Sequence, residues 1–238
     1  MGGALRDEAD FLRRWIATER VQTNEPHRCW WLVPCFLDAA RRTGAEAFDC
    51  LELGCSAGLN LLWDRYGYEY AAGGIEGSPV FRGEEREKPV PVATLPPVRS
   101  RIGVDLAPPD LRTEEGVRLL KAFVWAGQEQ RLADLDAAVE VWRRDPPEIV
   151  VGDLVDELPV LLERRADGAV LLAWETAVFG YLPEERRERA RALLAEADCV
   201  FVHTGPPKDG SHDYYGLYVE DDEVAHAEFH GAWIEWLA

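Results

Sequence analysis

Short apolar runs alternate with longer amphipathic segments along most of this 238-residue chain. The runs have the length of β-strands, and apolar residues recur at helical spacing in several of the segments between them. They span residues 48–53, 101–106, 148–152, 169–174 and 199–203. Because parallel strands are joined by crossover helices, the alternation predicts an α/β fold with a doubly wound, mostly parallel sheet.

Helices are predicted before and between these strands. A first amphipathic helix is expected over residues 7–22, and Pro26 suits the first turn of a second helix that runs towards Gly44, with a kink at Pro34. Thr113 can cap a crossover helix, and a second set of apolar residues at helical spacing over 132–142 extends this crossover. Residues 183–197 are predicted to form a surface helix. The apolar stripe of the first helix consists of Phe11, Leu12, Trp15 and Ile16.

The chain is expected to form a single domain over residues 1–238, with a helical cover over 1–46 and a Rossmann-like core over 47–238. Residues 71–100 lack lasting periodicity and contain several Gly and Pro residues, which predicts an insertion. Tyr214–Val219 and Val224–His230 flank an Asp221–Asp222 turn, which predicts an antiparallel hairpin that closes one edge of the sheet.

Charge and cysteine usage narrow the class of function. The formal net charge of −18 would repel phosphate backbones and anionic membrane surfaces, so nucleic-acid and membrane partners are not expected. The five cysteines form an odd set without a CxxC pair, which is typical of thiols in a reducing compartment. The N-terminus lacks the apolar run of a signal peptide, so a cytoplasmic location is expected.

A glycine-containing turn follows the first strand. Glu52 stands near the strand end, Gly54 and Gly58 permit close approach of a ligand to the backbone, and apolar residues over 59–66 predict a following helix. An ordinary tight turn is the alternative for an isolated glycine pair. Its place after the first strand of a doubly wound sheet favours a ligand site, because ligands bind at the carboxyl ends of such strands.

This turn resembles the first motif of class I S-adenosylmethionine-dependent methyltransferases, in the form Glu52-x-Gly54-x-x-x-Gly58. The resemblance implies a seven-stranded sheet with an antiparallel last strand and S-adenosylmethionine as cofactor. Nearly the whole chain is also similar to a bacterial, methyltransferase-like family of unknown function. The segments that carry this similarity are 22–25, 54–60, 103–106, 176–182, 230–233 and 236–237.

The resemblance implies cofactor-binding roles for several residues. They are Glu52, Gly54, Ser56, Gly58 and Asn60 in the first motif, Asp105 and Asp153 at later strand ends, and Asn24 and Glu25 in the N-terminal cover. Ser56 departs from the usual glycine and narrows the space beside the methionine moiety. Asn24 and Glu25 are alternatively caps of the Pro26 helix.

The ribose role has two alternatives along the chain. Asp105 takes it if residues 71–100 are an insertion, whereas Glu69 or Glu76 takes it if residues 68–72 form the second strand. Asp105 can also be a turn former before Pro108. By the resemblance, Asp153 accepts a hydrogen bond from the adenine amino group, and a helix N-cap is its alternative role.

Glu175, Tyr181 and His203 are the candidate catalytic residues. Glu175 and His203 follow two strands that should be neighbours, and Tyr181 can fold back over the same opening, so all three are expected to line one cavity. His203 is the candidate base. Glu175 beside aromatic rings favours a neutral or cationic acceptor. Structural roles remain the alternatives for His203 and Glu175.

Two functions follow from these observations. The first is a methyltransferase that acts on a small molecule or peptide, without a metal. The second is a non-catalytic module that binds S-adenosylmethionine or a partner protein and retains a degenerate fold. A nicotinamide dehydrogenase is a weaker third alternative, because the chain lacks GxGxxG. The acceptor and the oligomeric state are not specified by the sequence.

Overall fold

The computed structural model describes residues 8–18, 23–164 and 168–238. Six α-helices lie in these ranges: α1 Ala9–Thr18, α2 Cys29–Thr43, α3 Glu114–Ala122, α4 Glu129–Arg144, α5 Leu154–Leu161 and α6 Glu184–Glu196. Twelve strands accompany them: β1 Phe48–Leu53, β2 Gly67–Tyr70, β3 Gly73–Ile75, β4 Val80–Arg82, β5 Glu84–Arg86, β6 Val98–Asp105, β7 Glu148–Val151, β8 Val170–Glu175, β9 Cys199–Gly205, β10 Tyr215–Val219, β11 Asp222–Ala227 and β12 Trp233–Trp236.

The main sheet has nine strands in the order β5-β12-β11-β10-β9-β8-β1-β6-β7. The five strands from β9 to β7 are parallel to their neighbours, so the predicted α/β class with a mostly parallel sheet is confirmed. The implied count of seven strands is wrong. The β10–β11 hairpin is present, but β12 and β5 continue the sheet beyond it, so the hairpin does not form the edge.

Apolar side chains cover both faces of this sheet, as a doubly wound fold requires. Successive residues of β1 point to opposite faces: Cys50 packs with α2, α3 and α4, whereas Leu51 and Leu53 pack with α5 and α6. All six residues of β1 are buried. This places β1 at the centre of the molecule, with the turn that follows it at the carboxyl end of the parallel strands.

The predicted helix over 59–66 is wrong, since only a 3₁₀ turn at Asn60–Leu62 forms there. Tyrosine hydroxyls donate to main-chain carbonyls of this segment: Tyr66 Oη to the Leu59 oxygen at 2.8 Å, and Tyr68 Oη to the Trp63 oxygen at 2.5 Å. The apolar residues of the segment are buried all round, so tertiary packing overrides its helical periodicity.

The predicted insertion is an ordered structure. β2, β3 and β4 form a separate three-stranded sheet, and β5 then joins the edge of the main sheet. The first helix is shorter than predicted, and residues 1–7 and 19–22, with the side chains of Leu12, Trp15 and Ile16, lie outside the described part of the chain. The Pro26 segment starts as a 3₁₀ turn and continues as α2, which ends at Gly44.

Cys29, Cys35, Cys50 and Cys55 are free thiols and are buried, whereas Cys199 is half-buried. No helix in the described ranges has the length and apolar character needed to cross a membrane.

Candidate functional site

The site begins where the order of the strands reverses. The chain passes from β1 to β6 on one side and later to β8 on the other, so a crevice opens at the carboxyl end of β1. A cavity of about 430 Å³, here called the switch-point cavity, lies in this crevice. Its lining comprises Thr23, Arg28, Gly54, Ser56, Asp105, Thr176, Ala177, Val178, Tyr181, Tyr215, Phe229 and His230.

The glycine turn forms one wall of the switch-point cavity. Gly54 has φ 66° and Ser56 has φ 52°, so both adopt left-handed backbone conformations. The Gly54 N–H donates to the Val104 carbonyl at 2.9 Å, which fixes the turn to β6. The buried Ser56 hydroxyl has no hydrogen-bond partner among the residues that the structure describes. An unpartnered buried hydroxyl that lines a cavity is a group available to a polar ligand.

Asp105 is the acid of this wall. It ends β6, the direct neighbour of β1, whereas Glu69 lies in the separate small sheet and pairs with Arg82. Asp105 Oδ2 accepts from the Ser56 N–H at 2.8 Å, and Oδ1 accepts from the Ala107 N–H at 3.0 Å. Since each carboxylate oxygen has a further lone pair, Asp105 can still accept hydrogen bonds from a ligand.

Arg28 supplies a cation to the same cavity, and the sequence analysis did not find it. Its side chain is only 6% exposed. Nε donates to the Phe229 carbonyl at 2.9 Å and Nη1 to Thr176 Oγ1 at 3.2 Å. No carboxylate of the described residues forms an ion pair with it. A buried guanidinium without an anionic partner is costly unless a ligand compensates it, so Arg28 marks a site for an anionic group.

His230 completes the polar lining of the switch-point cavity. Its Nδ1 lies 3.5 Å from Arg131 Nη2, which is a donor, so the neutral ring carries its proton on Nε2. Burial, followed by the charge of Arg131, lowers the pKa of His230. At neutral pH this residue therefore offers an N–H donor rather than a base.

A second cavity of about 820 Å³ adjoins the first and shares Ala177, Tyr181, Tyr215 and Phe229 with it. It lies between the 3₁₀ turn Val178–Tyr181, helix α6 and the loop between β9 and β10. Ala177 has φ 72°, a second strained non-glycine residue beside Ser56 at this site. The two cavities together give space for two ligands that meet at the shared residues.

Three residues of the predicted glycine motif lie in the core. Glu52 is on the face of β1 that α2 covers; Oε1 accepts from Asn60 Nδ2 at 3.3 Å, and Oε2 has no partner. Burial raises the pKa of Glu52 to about 8. A Cβ on Gly58 would meet Pro147 and Ile149 rather than the cavity. Glu52, Gly58 and Asn60 therefore support the turn from behind and do not line either cavity.

Asn24 and Glu25 also act from outside the switch-point cavity. Asn24 Oδ1 accepts from the Leu59 N–H at 3.0 Å, which ties the N-terminal segment to the glycine turn. Glu25 caps the 3₁₀ turn by accepting from the His27 N–H and pairs with Arg131 at 2.5 Å. Burial raises the pKa of Glu25, against the opposing charge of Arg131. For Glu25 the structure shows the capping role.

Asp153 is a helix cap as well. Its Oδ1 accepts from the Val155 N–H at 2.9 Å at the start of α5, and the same carboxylate pairs with Arg186. Asp153 does not line either cavity. The expected contact with adenine therefore has no support in this geometry.

The expectation that Glu175, Tyr181 and His203 line one cavity fails for His203. Its ring is stacked between Phe201 and Tyr218, with centroids at 5.0 and 4.9 Å, and both ring nitrogens face main-chain carbonyls. Burial lowers the pKa of His203. The structure shows a packing role for this histidine, which lines neither cavity, and gives its assignment as a base no support.

Glu175 and Tyr181 do belong to the second cavity. Tyr181 is 75% exposed and lines both cavities. Glu175 lies beneath the cavity floor, fully buried, and its carboxylate accepts from the Thr204 N–H at 3.0 Å, Thr204 Oγ1 at 3.2 Å and the Phe179 N–H at 3.1 Å. Burial raises the pKa of Glu175. Its oxygens join the turn after β8 to the end of β9.

Metal binding has no support in the described ranges, where no cluster of three or more His, Cys, Asp or Glu side chains suits an ion. His226, which the sequence places on a strand with Glu228 and His230, is buried between Glu223 and Glu235.

Comparison with solved structures found distant likenesses. One is WbdD in a co-crystal with the kinase inhibitor LY294002, at 14% identity and a TM-score of 0.38, with 77% of this chain and 30% of that chain covered. Another is an S-adenosylmethionine-dependent methyltransferase from Clostridium acetobutylicum ATCC 824, at 8% identity and a TM-score of 0.35, with 94% and 72% covered.

Comparison with curated proteins gave no match. A family comparison matched residues 2–236 to the family described as "Uncharacterized protein conserved in bacteria (DUF2332)". The match covers almost the entire chain, and the chain belongs to this bacterial family.

Proposed function

We propose that this protein is an S-adenosylmethionine-dependent methyltransferase. The observation that carries the proposal is that a buried cation, Arg28, and an acid, Asp105, line one cavity at the carboxyl end of β1. S-adenosylmethionine has a carboxylate for the cation and ribose hydroxyls for the acid. The motif of the glycine turn supports the same cofactor class.

The residues of the switch-point cavity fit such a cofactor. The volume of about 430 Å³ lies within the range of small-molecule sites. Arg28 would bind the carboxylate, Asp105 would accept from the ribose, and the unpartnered Ser56 hydroxyl would bind a polar group of the methionine moiety. When bound, S-adenosylmethionine would supply an electrophilic methyl group, which an acceptor lone pair takes as the C–S bond breaks and its electron pair returns to sulfur.

The protein's own contribution would be alignment. Tyr181, Tyr215 and Phe229 line both cavities and would hold the acceptor against the cofactor, which is the main requirement of an in-line displacement. A base is needed only if the acceptor must lose a proton. His212 lines the second cavity and replaces His203 as the histidine in a position to take that proton.

Native mass spectrometry of freshly purified protein tests the proposal. Samples with S-adenosylhomocysteine, S-adenosylmethionine and NAD are compared with the protein alone. A mass increase with the two S-adenosyl ligands and none with NAD is expected. Binding of NAD in their place would contradict the cofactor assignment. Binding of the S-adenosyl ligands without methyl transfer to any acceptor would favour the non-catalytic module.

A further inference from the structure

The charged side chains that line the second cavity indicate which class of acceptor it can bind. The sequence favours a neutral or cationic acceptor because Glu175 was expected to present a negative charge there. In the structure the Glu175 carboxylate is fully buried and accepts three hydrogen bonds from the protein. This carboxylate is engaged in holding the protein together and is not the exposed anion that the preference for a cationic acceptor assumed.

One face of α6 provides the charges that do line this cavity. Glu184, Arg187, Glu188 and Arg191 follow each other at helical spacing and all line it. Glu184 pairs with Arg187, so these two charges largely cancel. Arg191 has no carboxylate partner among the described residues, and its guanidinium lies 5.9 Å from the centroid of the Phe179 ring.

Arg191 is directed towards the floor of the cavity. Phe179 is a buried residue at that floor, next to the loop that Glu175 holds. Burial raises the pKa of Glu175 and that of Tyr218, and the charge of Arg191 opposes both shifts. Glu188, which forms no ion pair with the described residues either, is exposed, as Arg191 is, and is the residue that a cationic ligand would use.

Aromatic side chains form the rest of the lining. Tyr181, Tyr214, Tyr215 and Phe229 all line the cavity, and Tyr215 packs edge-on against Phe229 at 4.6 Å. Rings in this arrangement favour a planar aromatic ligand. A ligand among these rings would lie next to the switch-point cavity, because Tyr181, Tyr215 and Phe229 line both cavities.

We propose that the second cavity binds a small aromatic carboxylic acid, with the carboxylate on Arg191 and the ring among the tyrosines. That this compound is the methyl acceptor rests on the proposed function. The binding itself does not depend on methyl transfer.

Three probes of similar shape distinguish an anionic, a cationic and a neutral ligand: 3-phenylpropionate, 3-phenylpropylamine and 3-phenylpropan-1-ol. Binding of each to the full chain is measured by ligand-observed NMR and calorimetry. Binding of the carboxylate at least about tenfold tighter than the amine and the alcohol is expected, as a charge-assisted hydrogen bond to arginine provides. Tighter binding of the amine, or no binding of any probe at millimolar concentration, would overturn the proposal.

Variants of α6 test the assignment to Arg191. Arg191→Gln should weaken binding of the carboxylate probe about tenfold or more. Arg189→Gln removes a cation from the same helix outside the cavity and should not weaken this binding. Glu188→Gln should not weaken it either. Equal loss in Arg189→Gln and Arg191→Gln would show a general effect of charge and would contradict the site.

The same titrations with S-adenosylhomocysteine separate this inference from the proposed function. If S-adenosylhomocysteine binds and the carboxylate does not, the acceptor class is wrong and the cofactor site stands. If the carboxylate binds through Arg191 and S-adenosylhomocysteine does not, the cavity assignment stands and the methyltransferase proposal fails.

Discussion

Glu52 should make the stability of this protein fall as the pH rises. Its carboxyl group lies in the core, hydrogen-bonded only to Asn60, and burial raises its pKa from an ordinary 4.5 to about 8. The unfolded chain loses this proton near its ordinary pKa, whereas the folded protein retains it up to about pH 8. The contribution of Glu52 is therefore fully present below pH 4.5 and is lost as the pH rises towards 8.

The size of the effect follows from the two pKa values. Proton linkage through Glu52 alone makes the folded protein about 3 kcal/mol less stable at pH 8 than at pH 5.5. For a chain of this size, that difference corresponds to a change in Tm of about 6–12 °C. Glu52→Gln mimics the protonated carboxyl group, because its amide oxygen can still accept from Asn60.

The assay is denaturant unfolding of wild type and Glu52→Gln at pH 5.5 and pH 8. Glu25 and Glu175 also have raised pKa values, and they affect the pH dependence of stability equally in wild type and variant. Only the difference in pH dependence between the two proteins therefore reports the contribution of Glu52. The variant should lose less stability than wild type over this interval, by about 3 kcal/mol. Identical slopes would refute the burial of an ionisable carboxyl group at this position.

Other substitutions test the turn, the cap and the stacked histidine. Gly54→Ala should lower the free energy of unfolding by about 3 kcal/mol in denaturant unfolding, because φ is 66° and a Cβ would lie 2.4 Å from Val178 Cγ2. Gly210→Ala, at φ 81° in open space, should lower it by about 1 kcal/mol. Equal losses in the two variants would contradict the clash with Val178. Asp153→Ala should cost about 1 kcal/mol through loss of the α5 cap and leave S-adenosylhomocysteine affinity unchanged in calorimetry. His203→Ala should lower Tm by removing the ring between Phe201 and Tyr218, again without changing that affinity. Lost affinity in either variant would place that residue at the ligand.

The alternation of the sequence was sufficient to predict the parallel half of the sheet. Short apolar runs and crossover helices are local properties, so β1, β6, β7, β8 and β9 lie close to the predicted runs. The outer strands β5 and β12 were not predicted. They are short, and their pairing joins segments about 150 residues apart, a contact that no local pattern specifies.

The site was only partly predictable for a related reason. Gly54, Ser56 and Asp105 follow strand ends that meet in the crevice, and topology alone brings them together. Glu52 was misplaced because its position within β1 directs it to the core. Arg28 was missed because it stands at the start of a strongly apolar helix, and nothing local shows that the nearby Glu25 pairs with Arg131 and leaves Arg28 to the cavity.

The choice of the acid beside the glycine turn depended on whether residues 71–100 are an insertion. The sequence left Glu69 and Glu76 as alternatives because nothing local shows which segment pairs with β1. Parallel pairing of β6 with β1 identifies Asp105 as the acid beside the glycine turn. Its role towards a ribose remains a prediction.

Calorimetric titration of S-adenosylhomocysteine into wild type, Arg28→Met and Asp153→Asn tests the central claim most directly. Arg28→Met removes a polar group that lines the switch-point cavity, and Asp153→Asn changes a carboxylate that lies outside it. Wild type and Asp153→Asn should bind with similar affinity, and Arg28→Met should bind at least about tenfold more weakly, because the ligand carboxylate loses its cation. Absence of heat with wild type, or equal affinity in all three proteins, would contradict a cofactor site at the carboxyl end of β1.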